Sequence, residues 1–543
     1  MSRKALLINP PVYDTQYWER WSLPHGLLKV ATYLKENGYE TRLIDCLLPD
    51  EKGNLRKKVR EVVEIGAVRR SPIKTAKERL GPNQRYVYSF GKDIEDLEKD
   101  FREGLLFENG YIETPDEVWI TSIMTYWWES TRDVIALIKK YFPRAKVRLG
   151  GIYPTLAPEH AKQKLGLNNP LIIPGDQLNL NDPSQMSRDL IVVKEIPAAN
   201  DLPLDFELYS TYEEVRRPKY TILTTSRGCP RDCEYCAAYE LSGKKIRSRT
   251  ASSVIEEIKV KYHDYKIREF CFYEDNLLMS KRNFKDLLTR IIEDKELKGI
   301  ELHSPEGLEI RLVDQELANL MYEAGFRRVY LPLETIDYNT LHRFSRDFYT
   351  YKQFEDAVRM FQKAGFTKPQ QINVFVLFGL PGEDLQNVYD TALYAANLTG
   401  SVIPMLFAPV PSTPLFKKLL DYTESMGFDL QDLNGKLLPF FEYNAKAMKH
   451  KYDLTVQDYY DIEAFMFRLN EKVRNDTFKP GAESRVSKAF REVFKSYESL
   501  YGNHRRVRYN PEATAETESG HQRDSLITEY HGTAPNTVQI TRA

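Results

Sequence analysis

Cys229-Pro230-Arg231-Asp232-Cys233-Glu234-Tyr235-Cys236 carries three of the five cysteines in the chain. Thiolates so close together converge on one soft metal centre. A closed structural zinc site needs four ligands, and so does a ferredoxin-type cluster. No second CxxC occurs, the nearest histidine is His263, and the remaining cysteines, Cys46 and Cys271, stand far off in sequence. Three local thiols without a fourth imply a cluster with one open iron, where a substrate or cofactor can bind. Three buried, unligated cysteines are the bland alternative. Upstream, Tyr220-Thr-Ile-Leu-Thr-Thr-Ser226 is a β-branched run leading straight into the cysteine turn.

Cys229-xxx-Cys233-x-Tyr235-Cys236 resembles the CxxxCxΦC signature of the radical S-adenosylmethionine (SAM) enzymes. The resemblance implies that Cys229, Cys233 and Cys236 hold a [4Fe-4S] cluster whose open iron takes the amino and carboxylate groups of SAM. One electron then cleaves SAM to methionine and a 5'-deoxyadenosyl radical. It also implies that Tyr235 lies beside the adenine.

Beyond the cysteines, strand and helix patterns alternate. Strands are expected at 269–273, 300–303, 328–333, 372–378 and 402–407, and helices at 252–262, 283–292, 314–324, 352–364 and 385–398. Six such repeats predict a parallel sheet with right-handed crossovers. They match the partial (β/α)6 barrel of the radical SAM core over about residues 218–425. Ligands of parallel α/β folds bind outside the C-terminal strand ends, and each end here carries polar or glycine-rich chemistry. Glu274-Asp275-Asn276 resembles the second-strand motif that meets the methionine amino group, although a capped turn reads equally simply. Glu334 resembles the residue that binds the ribose hydroxyls; an ionised carboxylate is acceptor-only and suits a diol. Arg311 is a candidate for bidentate contact with the SAM carboxylate. Gly379-Leu-Pro-Gly-Glu383 resembles the turn where backbone approaches the adenine. Cys271, between Phe270 and Phe272, and Cys46 read as core packing.

The N-terminal third reads as a doubly wound α/β domain, with strands at 4–9, 39–45, 117–123, 145–149 and 171–173 and helices up to about Asn37 and at 130–141. Its order resembles the cobalamin-binding domain that precedes many radical SAM cores. The Gly150-Gly151 and Pro174-Gly175-Asp176 turns match recurring features of that domain, which implies corrin on the strand ends. The D-x-H-x-x-G motif that supplies a lower axial ligand is absent. His25 is the histidine nearest a strand-end loop. A degenerate domain without corrin is the alternative.

These readings divide the chain into a cobalamin-binding-like domain at 1–185, a linker at 186–217, the radical SAM core at 218–425, a helical region at 426–502 and a polar, aperiodic tail at 503–543. The helical region has candidates at 456–473 and 482–501. A charged insertion at 50–115 interrupts the first domain, read as solvated helix or as a substrate lid. At 543 residues, with 42% hydrophobic and 29% charged, the chain can bury a full core. Its formal charge of −1 gives no bulk attraction to nucleic acid or anionic membrane, and no apolar run is long enough to span a bilayer. The Arg505-Arg506-Val-Arg508 run reads as solvated tail rather than an RNA contact. A cytoplasmic enzyme is expected, acting on a small molecule with a flavodoxin- or ferredoxin-type electron donor. The cysteine count leaves room for one cluster only, which separates the chain from methylthiotransferases and SPASM-type enzymes. Methylation of an unactivated carbon from methylcobalamin is the favoured reaction. Radical cyclisation, oxidation or rearrangement without methyl transfer is the alternative. A non-catalytic iron–sulfur or structural metal module is the alternative of another class.

Overall fold

The computed structural model describes residues 2–16, 23–65, 69–72, 80, 84–103, 114–368, 370–437 and 456–475. The expected helix at 482–501, the tail and its basic run lie outside the described residues.

The first domain is an α/β unit on a six-stranded sheet. Its strands are β1 (Arg3–Asn9), β2 (Tyr39–Asp45), β3 (Glu117–Thr121), β4 (Lys146–Gly150), β5 (Leu171–Pro174) and β6 (Leu190–Val193). They run in the order β2-β1-β3-β4-β6-β5, all neighbours parallel. The order reverses away from β1, as in doubly wound folds, and all strand C-termini share one edge. β6 corrects the expected linker: Leu190–Val193 enters the sheet between β4 and β5, so the domain reaches past residue 185. Asp189 fixes that strand's entry by accepting the amides of Val147 and Asn168, both at 2.9 Å, and the Lys139 ammonium at 2.7 Å. Arg148, fully buried, binds Glu117 at 3.0 Å and the carbonyls of Met186 and Arg188, tying the same segment to the sheet.

The described residues of the charged insertion are mainly β-structure, where solvated helix was expected. Lys57–Glu64, Arg69–Pro72 and Gln84–Phe90 join Val12–Asp14 in an antiparallel sheet. Val63 and Val87 are buried in one apolar cluster with Tyr13 and Leu437, and Phe90 in another with Val12 and Leu47, while Lys57 and Lys58 are exposed. Among the described residues of the insertion only Ile94–Glu103 is helical, burying Leu97 and Phe101.

The second domain contains β7 (Tyr220–Leu223), β8 (Glu269–Phe272), β9 (Glu301–His303), β10 (Val329–Glu334), β11 (Ile372–Phe378) and β12 (Val402–Leu406), separated by helices as expected. All pairings are parallel, in two three-stranded sheets, β7-β8-β9 and β10-β11-β12. An isolated parallel bridge between Leu302 and Phe326 links the halves. Phe270, Cys271 and Phe272 are wholly buried, so Cys271 packs as expected. Helix Val456–Asn475 lies along the last strand. There the Asn470 amide group accepts from the Val402 N–H at 2.8 Å and donates to its carbonyl, occupying hydrogen-bonding groups of β12.

Candidate functional site

The cysteine turn leaves the C-terminal end of β7 and is held from below by acids at the end of β8. Glu274 accepts the amides of Thr225 at 2.6 Å and Ser226 at 3.1 Å; Asp275 accepts that of Gly228 at 2.8 Å. Gly228 is glycine for cause: at φ 105°, a Cβ would lie 2.3 Å from the Lys245 carbonyl oxygen. Two of the motif's three residues therefore shape the cysteine turn itself. Burial pushes the Glu274 carboxyl up to about 7, against the pull of the amides and Arg227.

Cys229 and Cys233 are buried and Cys236 is half-buried. Burial raises all three thiols, Cys236 to about 11; a neighbouring cysteine adds to the rise at Cys229 and Cys236, and Glu334 adds to it at Cys233. Iron would displace those protons. Among the described residues no three acidic, histidine or cysteine side chains gather around a single ion. Cluster ligation does not require that, since each thiolate takes its own iron. Donors already face the sulfurs: the Asn276 side chain and Arg231 amide toward Cys229, the Ala238 amide toward Cys236, and Arg346 Nη1 toward Cys233 at 3.5 Å. Soft ligands with hydrogen bonds to sulfur fit an iron–sulfur cluster.

Across the turn, Glu334 ends β10 at a register shift, in the left-handed region at φ 61°. Strain of this kind clusters at functional sites. Its Oε1 accepts from Tyr235 Oη at 3.4 Å and pairs with Arg346 Nη2 at 3.3 Å. Burial raises its carboxyl, and Arg346 opposes the rise. Tyr235, Glu334 and the cysteines thus meet.

Arg311 reaches the site through Glu309, a residue the sequence reading did not single out. Glu309 is buried and accepts from Arg231, Arg311 and Asn276. The guanidiniums of Arg231, Arg311 and Arg346 lie 4.6, 5.4 and 4.9 Å from the centre of one ring, Phe348. Three cations against two acids leave the pocket attractive to a carboxylate.

Gly379, at φ 86°, donates its amide to the buried Glu383, and a Cβ there would press Leu406 at 2.8 Å. In the first domain, Gly150 and Gly151 form the β4 turn. Gly151 sits at φ 108°, where a Cβ would lie 2.4 Å from the Ser122 carbonyl oxygen. The helix it starts, Ile152–Leu156, packs against Ala238–Ser242, just past the cysteines. Tyr153 on that helix shares an apolar cluster with Tyr235, Phe344, Leu380 and Phe407. The glycine turn and the cysteine turn therefore face each other across the domain boundary. His25 is half-buried nearby, its Nε2 shielded and without a hydrogen-bond partner among the described residues. Burial, helped by Lys29, Arg227 and Arg249, holds it well below the usual histidine range.

Residues 223–395 match the family model of the radical SAM superfamily. An uncharacterized methyltransferase of Pyrococcus horikoshii is 27% identical over 223 residues, 41% of this chain and 45% of that protein, so the match spans under half of its length. Cytidylyl-2-hydroxyethylphosphonate methyltransferase of Streptomyces wedmorensis is 21% identical, covering 72% of this chain and 77% of that protein. The solved radical SAM methyltransferase TsrM from Kitasatospora setae, with cobalamin and a [4Fe-4S] cluster bound, is 17% identical with a TM-score of 0.53, covering 78% of each chain. That likeness is one of fold, in an N-terminal α/β domain followed by a radical SAM barrel.

Proposed function

We propose that this chain is a cobalamin-dependent radical SAM methyltransferase that methylates an unactivated carbon of a small molecule. The observation that carries the reading is the placement of the cysteine turn opposite the ligand edge of a doubly wound parallel sheet, with Tyr153 and Tyr235 in one apolar cluster between them. When bound, the cluster supplies an electron for SAM cleavage and methylcobalamin supplies the methyl group. Cys229, Cys233 and Cys236 would hold the cluster. Glu274 and Asp275 fix the backbone that presents them. Glu334 offers an acceptor to the ribose diol, Tyr235 a face to the adenine, and Arg311 with Arg231 a pair of guanidiniums to the carboxylate. Gly379 lets backbone close on the nucleoside, and Gly150-Gly151 leaves room for the corrin. Phe344, Leu380 and Phe407 keep water from the space between the turns.

Methyltransferase names among the relatives of partial coverage support the reaction, and the TsrM likeness supports the cofactor pair. Five cysteines without a disulfide suit a reducing compartment such as the cytoplasm, with a flavodoxin- or ferredoxin-type donor. Among the described residues no helix is long and apolar enough to cross a membrane.

Anaerobic reconstitution with iron, sulfide and hydroxocobalamin tests the proposal. Stoichiometric corrin together with SAM cleavage is expected. SAM cleavage without corrin would refute methyl transfer and leave radical chemistry of another kind; a cluster that never cleaves SAM would refute both.

A further inference from the structure

The loop Phe344–Phe348 lies over the cysteine turn. The Glu234 amide donates to the Phe344 carbonyl at 3.1 Å, and the Tyr235 and Phe344 rings stand 6.4 Å apart. Ser345 takes a left-handed φ of 56°, turning the chain so that the Arg346 amide returns to the Leu341 carbonyl at 2.8 Å. This turn aims the guanidinium inward. Nη1 is 3.5 Å from Cys233 Sγ, Nη2 is 3.3 Å from Glu334 Oε1, and Cζ stands over Phe348. Nε is buried without a hydrogen-bond partner. Cys229 and Cys236 are met by neutral donors. Cys233 is the sulfur that accepts from a cation, and that cation carries a carboxylate on its other side.

We infer that Arg346 is a positioning residue that sets the reduction potential of the cluster, favouring its one-electron-reduced state through the Cys233 sulfur, with Glu334 as the opposing charge. The inference rests on the cluster reading above. An added electron places negative charge on iron and sulfur. A buried cation at hydrogen-bond distance stabilises that charge more strongly than it would in water. Hydrogen bonds to sulfur and net local charge are established levers on cluster potential. The electron comes from a low-potential donor, and no bond forms or breaks in this step.

The test uses the full chain, reconstituted anaerobically with iron and sulfide and titrated with dithionite in the presence of mediators, without SAM. The reduced cluster is followed by its paramagnetic resonance signal. Arg346→Met is expected to lower the reduction equilibrium constant about tenfold, which is about 59 mV for a one-electron couple. Arg346→Lys keeps most of the wild-type value, and Glu334→Gln shifts it the opposite way. A purely structural role would not give opposite signs at two touching residues. Midpoints of Arg346→Met and Glu334→Gln that both match wild type, at equal iron and sulfide content, overturn the inference. Should Arg346→Met not hold a cluster, Glu334→Gln decides: an unmoved or lowered midpoint overturns it. A wild-type chain that takes up no cluster overturns the cluster reading instead.

Discussion

Replacing Glu309 with Gln keeps the shape of the side chain and removes the charge that organises Arg231 and Arg311. Each oxygen of the acid serves two donors. Oε1 takes Arg231 Nη2 and Arg311 Nε; Oε2 takes Arg231 Nε at 3.2 Å and Asn276 Nδ2 at 2.8 Å. An amide must turn its NH2 group toward one of these pairs. The milder choice is Oε2, which loses one guanidinium bond and one neutral bond, about 3 kcal/mol together. Arg231 and Arg311 keep 21% and 32% of their side chains exposed. Water therefore recovers part of the loss, and about 2 kcal/mol of destabilisation is expected. Arg231 sits within the cysteine turn, so the same change should weaken SAM binding. The assay is urea unfolding of the reconstituted chain, followed by cluster absorbance, alongside SAM affinity. A change under about 0.5 kcal/mol with unaltered SAM affinity would refute the view that Glu309 builds this corner.

Gly151→Ala forces a side chain into φ 108° and against the Ser122 carbonyl; a loss of about 3 kcal/mol is expected from strain and overlap, read by thermal unfolding, and a wild-type midpoint would contradict the geometry. Burial pushes the Glu383 carboxyl up to about 8 in the folded chain, above its ordinary value of about 4.3. Between those values the folded state binds more protons than the unfolded state. Stability from this group is full below the lower value and falls as pH rises toward the upper one, by at most about 1.4 kcal/mol per pH unit. Glu383→Gln should flatten that slope in unfolding measured from pH 4 to 9, and an unchanged slope rules Glu383 out as its source. Glu334→Gln should weaken SAM binding several-fold by equilibrium titration, whereas full affinity would remove Glu334 from the nucleoside site.

The barrel was legible because each repeat pairs a β-branched run with an amphipathic stretch ended by glycine or a polar cap; Gly325 and Gly365 end their helices where the pattern places them. β6 was missed because four apolar residues between polar stretches are too short a signal, and the Asp189 contacts that secure them are made in three dimensions. The insertion was read as helical because its charges are dense, whereas the aromatic residues Tyr86, Tyr88 and Phe90 carry a period of two. The cysteines were found by spacing alone. Glu309 and Arg346 carry no local motif: a carboxylate two residues before an arginine, and an arginine in a short loop, look like ordinary surface. Their meaning comes from the turn at Ser345 and from the convergence of separate strand ends on Phe348.

The barrel's sheet is divided between β9 and β10, with the Leu302–Phe326 bridge as the narrow join. The cysteines, Glu274 and Asn276 stand on one side of that seam, and Glu334 and Gly379 on the other. A nucleoside gripped by both sides would act as a cross-brace over a weak line in the scaffold. Occupancy of the pocket should then be felt well below it, as slowed deuterium uptake by the amides of Leu302 and Arg327, which bond across the seam to Gly325 and Leu302.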